Sequence, residues 1–231
     1  MKIIGMIGGM SWASSQVYYE QANRLVAAQL GELHSARVIL YSVDFAHIAR
    51  LQEQGEWEQA GAILADAAQA LVRAGAELIV LCTNTMHKVA DQITAGLSVP
   101  FIHIADATGQ AIQAAGLKKV ALLGTDFTMT QEFYRQRLIN QFGLSVLTPD
   151  AEGRAGVHRI IYEELCRGQV LPASKAYYLA QIEALRQAGA EGVILGCTEI
   201  GLLIQQSDLA LPVFDTTGLH IAAAVHQALA V

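Results

Sequence analysis

The 231 residues carry a formal net charge of −6 and are 53% hydrophobic but only 16% charged, which predicts a soluble protein with a large core. Lys and Arg are scattered without a basic stripe, so nucleic acid is not an expected partner; no apolar run approaches the roughly eighteen residues of a membrane span, so neither is a membrane. Three cysteines, an odd number at spacings that suit neither a disulfide framework nor a zinc site, point to free thiols and a cytoplasmic location.

Along the chain, short runs of Val, Ile and Leu alternate with longer segments of helical period, the pattern of strands buried on both faces of parallel sheets. The opening MKIIGMIGGMSWASS is read as strand, turn and helix rather than as a secretory signal, because glycines interrupt its apolar stretch. Strands are predicted near 2–7, 37–43, 78–82, 100–104, 119–123, 144–148, 192–196 and 212–214. Helices fill the intervals, as at 57–74 and 172–187, each closed by a glycine soon after its last apolar turn. The glycines of GMIGGM after the first strand lack the spacing of a dinucleotide or P-loop; they form a tight turn alone or let the backbone approach a small ligand, with Met10 and Ser11 beside it.

The chain repeats itself. AGAELIVLCTNT (74–85) aligns without a gap on AGAEGVILGCTE (188–199), KIIGMIGG (2–9) on KVALLGTD (119–126), and VPFIHIADATG (99–109) more loosely on LPVFDTTG (211–218). The expected architecture is α/β: two similar four-stranded parallel-sheet domains related by pseudo-two-fold duplication, with the active site in the cleft between them. The first lobe is expected to take residues 1–100 with 213–231 and the second 101–212, with crossings marked by the prolines of VP and LP.

Both long repeats end a parallel strand and open a helix, where α/β sheets place ligand-contacting residues. A cysteine there gains from unpaired backbone N–H groups and the helix dipole, which lower a thiol pKa that starts at about 8.5. Cys197 in GCTEI occupies that position. Cys82 comes one residue too early, so strand alternation points it into the core, and Thr83 falls opposite Cys197 in the repeat.

GMIGGMSW, CTNTMH, LGTDFTM, IYEELCRG, GCTEIGLL and PVFDTT together resemble the PLP-independent aspartate/glutamate racemases, most closely the broad-specificity amino-acid racemases of enterobacterial type. The resemblance implies a small amino-acid substrate, no cofactor and a homodimer. It also implies a mechanism in which one cysteine from each lobe addresses opposite faces of the substrate Cα. Asn84, Thr85 and Thr198 are then candidate donors to the substrate carboxylate, with Met10 at the ligand. In the second lobe Thr128 is a further candidate donor, ahead of Thr125, and Gln52, rather than Arg50, is the candidate for the side chain. The departure is Thr83, which stands where the family has its first cysteine. A threonine hydroxyl is not a practical carbon-acid base but can pass on a proton from water, which leaves Cys197 as the base for L substrates.

Other residues carry two readings each. His87 is a proton relay or a structural hydrogen-bonding partner, and Glu199 tunes Cys197 or caps a helix. Cys166, followed by Arg167 where the family often has a basic residue, is read as packing. His47, His103 and His220 share no metal-ligand spacing, and no metal is expected. Two other functions stay open: single-cysteine relatives act on malonates or maleate, and a two-lobed binding protein would need no base at all.

Overall fold

The computed structural model of the protein describes residues 1–31 and 33–230. It divides into two compact units, Met1–Ile104 with Thr217–Val231 and Ala105–Thr216.

In the first unit, β1 (Ile4–Gly8), β2 (Val38–Ser42), β3 (Leu78–Leu81) and β4 (Phe101–Ile102) form a parallel sheet in the order β2-β1-β3-β4. Alternation sorts the strand residues onto two buried faces. Ile7, Ile79 and Leu81 pack against Ala60, Leu64, Ala67, Ala68 and Leu71 of the helix Trp57–Arg73. Ile4, Met6, Leu78, Val80 and Cys82 pack against Tyr18, Ala22 and Val26 of the helix Trp12–Leu30, and against Ile221, Ala224, Val225 and Ala228 of the helix Thr216–Leu229. A strand covered on both sides reads as a continuous apolar run, which is why LIVLC shows no polar alternation. The spacing 60, 64, 67, 68, 71 is the buried stripe of an amphipathic helix, and Gly75 at φ +100° ends it.

The second unit repeats the plan with β5 (Lys119–Gly124), β6 (Ser145–Leu147), β7 (Gly192–Gly196) and β8 (Val213–Asp215), again parallel, in the order β6-β5-β7-β8. Each strand number is the first sheet's plus four, so the duplication read from the sequence holds at the level of topology. The helix Pro172–Gln187 starts on a proline in its first turn and buries Ser174, Tyr178, Ile182 and Leu185. The chain passes between units at 104/105 and 216/217, after β4 and after β8, four residues beyond the VP and LP marks. The reason is pairing: Phe101 and Ile102 align with Ile79 and Val80 of the first sheet, and Val213–Asp215 with Val193–Leu195 of the second, so each short strand stays with the sheet before it.

Cys82 is fully buried, and burial pushes its thiol far above the ordinary range. Its raised value means that the folded chain keeps this proton at alkaline pH while the unfolded chain releases it, so stability falls as pH rises past about 9. Two results are expected from urea unfolding. Cys82→Ser, which buries a hydroxyl among apolar side chains, lowers stability by about 1–3 kcal/mol; Cys82→Ala gives a shallower loss of stability above about pH 9 than the native chain.

Candidate active site

In the first unit the chain leaves β3 through Cys82, Thr83 and Asn84. The Thr83 N–H donates to the Leu81 carbonyl at 2.8 Å. The Thr83 carbonyl accepts from His87 Nδ1 at 2.7 Å, and His87 Nε2 accepts the Ile104 N–H at 3.2 Å. These partners require the Nδ1–H tautomer and engage both ring nitrogens, so the geometry supports the structural reading of His87. They also account for the turn that follows. The His87 side chain takes the carbonyl that an α-helix would use, while the His87 N–H bonds Asn84 O at 3.1 Å, three residues back; Thr85–Val89 is accordingly a 3-10 helix. The His87 ring stands 4.5 Å from that of His103 and 5.7 Å from that of His220. His220 is itself held by the Tyr18 hydroxyl at 2.8 Å and the Ile102 carbonyl at 2.7 Å.

Thr83, Asn84 and Thr85 are all buried, Thr83 retaining 8% of its surface. Near them the turn after β1 touches the turn after β2. Gly9 has φ +93°, and a Cβ there would lie 2.2 Å from the Val43 carbonyl oxygen, so this glycine is required by close backbone approach. The Met10 side chain is buried in the core with Leu81 and Met86. Ser11 Oγ caps the helix that begins at Trp12, accepting the Ser14 N–H. Gln52 is buried with its amide on the Met86 sulfur at 2.9 Å, whereas Arg50 is exposed. The residues proposed for this side, Met10, Gln52, Thr83, Asn84 and Thr85, thus cluster around one 3-10 turn.

In the second unit β5 and β7 both end in glycine. A Cβ on Gly124 would lie 2.8 Å from the Gly196 carbonyl oxygen, so the strand ends are pressed together. Thr125 caps the next helix, accepting the Thr128 N–H at 3.3 Å, and the two hydroxyls lie 3.1 Å apart with Thr128 fully buried. Cys197 follows Gly196 and retains 9% of its surface. Its thiol donates to Glu199 Oε2 at 3.0 Å, and the Thr198 hydroxyl donates to the same oxygen at 2.6 Å. A hydroxyl has one proton, so in this arrangement Thr198 offers none to a substrate.

The electrostatics run against the expected direction. Burial, then the charge of Glu199, then Cys166, hold the Cys197 thiol well above its ordinary value. The helix that was expected to depress it, Ile200–Leu203, is a single turn, and its dipole is outweighed by desolvation and a buried carboxylate. Cys166, half-buried in the 3-10 turn Leu165–Arg167, is pushed up to about 12 by burial and then by Glu199. Glu164, also buried, accepts from the Ser174 hydroxyl and from Arg159 at 3.4 Å. Arg167 is exposed. Among the described residues, no group of three or more His, Cys, Asp or Glu is placed to hold a metal ion, and no helix is long and apolar enough to cross a membrane.

Residues 7–224 match the Asp/Glu/hydantoin racemase family. The chain belongs to that family. As a member it is an isomerase of racemase type, with the two similar four-stranded domains of that fold. It is 53% identical, over the whole of both chains and with a TM-score of 0.93, to a crystal structure from Yersinia pestis of a protein proposed to be an Asp/Glu racemase. An aspartate racemase homologue from Pyrococcus horikoshii OT3 is 39% identical over 99% of each chain, with a TM-score of 0.86. The broad specificity amino-acid racemase RacX of Bacillus subtilis is 24% identical over 93% of each chain.

Of the two sequence readings of Glu199, the structure gives its carboxylate the Cys197 thiol and the Thr198 hydroxyl and no side-chain cap bond to the helix Ile200–Leu203. The ring cluster of His87, His103, His220 and Tyr18 was not read from the sequence and had no signal there, since its members are scattered from 18 to 220. The expected outcome for His87→Phe, which leaves the Thr83 carbonyl and the Ile104 N–H without their ring partner, is a loss of about 2–5 kcal/mol, read by denaturant unfolding.

Proposed function

We propose that the protein is a cofactor-independent racemase of acidic amino acids, aspartate or glutamate, in which Cys197 removes the Cα proton of the L-enantiomer and Thr83 serves the opposite face through water. The observation that carries this reading is positional: a thiol follows β7 and a hydroxyl follows β3, at equivalent points of two sheets built to one plan.

Removal of a Cα proton leaves a planar, enolate-like carbanion that needs donors on its carboxylate in a water-poor site. Asn84 and Thr85 on the Thr83 side, and Thr128 with backbone N–H groups on the Cys197 side, are assigned that task, with Gln52 assigned to the substrate side chain and Met10 beside the ligand. Racemisation has an equilibrium constant of one. A weak relay at Thr83 therefore slows net conversion equally in both directions in kcat/KM, although Cys197 alone still exchanges the hydrogen of an L substrate. We also infer a cytoplasmic location, supported by three free cysteines, and a homodimer; the edge strand β2 leaves Leu40 and Tyr41 exposed, as a strand covered by a second copy would.

In heavy water, L-aspartate or L-glutamate is expected to exchange its Cα hydrogen faster than it inverts, while the D-enantiomers exchange poorly. Cys197→Ser should lower both signals by about 10²-fold or more, Cys82→Ser should leave them unchanged, and Thr83→Cys should raise turnover of D substrates. Equal exchange of both enantiomers by the native chain, or persistence of exchange in Cys197→Ser, would overturn the assignment.

A further inference from the structure

The turn that carries Thr128 is built from very little. After the Thr125 cap, the helix Asp126–Thr130 is five residues long, too short to hold its shape by internal bonds. From the sheet side it rests on the two strand-end glycines: a Cβ on Gly124 would lie 3.3 Å from Thr128 Cβ, and one on Gly196 would lie 3.4 Å from Thr128 Cγ2. Its other support comes from the helix Ala151–Glu163. His158 Nδ1 accepts the Asp126 N–H at 3.1 Å, the first orphan donor of the short helix, and the Phe127 ring stands edge-on to the imidazole at 6.1 Å. One turn earlier on the same helix, Arg154 pairs with the Asp126 carboxylate at 3.7 Å.

An Nδ1 that accepts a backbone N–H is unprotonated, so the ring is neutral with its hydrogen on Nε2. A second proton would have to enter at Nδ1, and the bond to Asp126 would give way to two N–H groups facing each other. On the same helix Arg154 and Tyr162 lie one turn to either side of His158, the Tyr162 ring at 4.7 Å, and Glu152, Arg159 and Glu163 are exposed. The helix Pro172–Gln187 gives the hydroxyls of Tyr177 and Tyr178 to carbonyls of Ala151–Glu163. The 3-10 turn Leu165–Arg167 carries Cys166 and Arg167, and β5 has Lys119 at its far end. Burial lowers the pKa of the ring from its ordinary value, and the Asp126 carboxylate offsets part of that shift. The ring is therefore neutral at pH 7 and takes its proton in a mildly acidic range, below about 6.5.

We propose that His158 is a positioning residue for substrate: its neutral Nδ1 holds the Asp126 amide, and through it the turn Thr125–Thr128, where Thr128 meets a substrate carboxylate, and protonation of the ring releases that turn. His158 itself touches no reacting atom. The consequence is a KM that rises as the ring charges, separate from any effect of pH on the thiol. The link to a carboxylate rests on the proposed racemase reading; the coupling of ring and turn does not.

The coupling is tested without substrate by amide NMR of the native chain from about pH 7.5 to about pH 5, a range that brackets the ordinary histidine value. The Asp126 and Thr128 resonances should move with the same midpoint as the His158 ring. In His158→Asn, whose side-chain oxygen reaches the place of Nδ1 but does not titrate, they should stay still. For the substrate, KM and kcat of Cα-hydrogen exchange are measured for L-aspartate and L-glutamate over the same range, where their carboxyl groups stay largely ionised. Loss of the acceptor in His158→Leu should raise KM at neutral pH about tenfold with kcat within about threefold of native. His158→Asn should keep most of the affinity and lose the rise in KM that the native chain shows on acidification. Amide resonances that ignore the titration of His158 in the native chain would refute the coupling, whether or not either variant folds. An unchanged KM in His158→Leu, or a loss confined to kcat, would overturn the proposal. Absence of exchange in the native chain, with the amides still following the ring, would overturn the acidic substrate and uphold the coupling.

Discussion

A strand buried on both faces can present a side chain to a ligand only where it ends. Both sheets of this protein obey that constraint: β3 and β7 are central and buried along their whole length, so the proposed chemistry falls to the one or two residues after each of them. Residue 82 is one step inside the limit and residue 83 is one step outside it. The same atom type, sulfur, is core at the first and would be reactive at the second. This is why Thr83 matters more than the presence of a cysteine beside it.

Buried thiols bring a conflict, since the seclusion that strengthens a carbanion's hydrogen bonds also opposes the charge the base must carry. At Cys197 the resting group is a protonated thiol against a carboxylate rather than a free thiolate.

Much of this was legible in the sequence because it follows from local rules. The helices at 57–74 and 172–187 are found at Trp57–Arg73 and Pro172–Gln187, each announced by an apolar stripe and ended by a glycine at positive φ. The central strands β1, β3 and β7 were found because burial on both faces leaves a continuous apolar run, and the repeat fixed which strands of the two sheets are equivalent. The rest depended on contacts distant in sequence or on competition among nearby groups. The 3-10 turn at Thr85–Val89 arises because a histidine ring, tied also to Ile104, captures the Thr83 carbonyl. The direction of the Cys197 shift could not be had from position alone, since burial and then the Glu199 carboxylate raise it, and neither the burial nor the fold of that side chain onto the thiol is written in the position. Among the candidates, Thr198 was placed as a donor to substrate, and its single proton is instead on Glu199.

The first unit is assembled from two ends of the chain. Its second buried face is completed by Ile221, Ala224, Val225 and Ala228, and the Lys2 N–H bonds the Ala228 carbonyl at 2.8 Å. The second unit, by contrast, is one continuous stretch, Ala105–Thr216. A ribosome therefore releases the whole of the later-numbered sheet before the earlier one has its closing helix. The nascent polypeptide must hold Ile4, Met6, Leu78 and Val80 without their full cover throughout that interval.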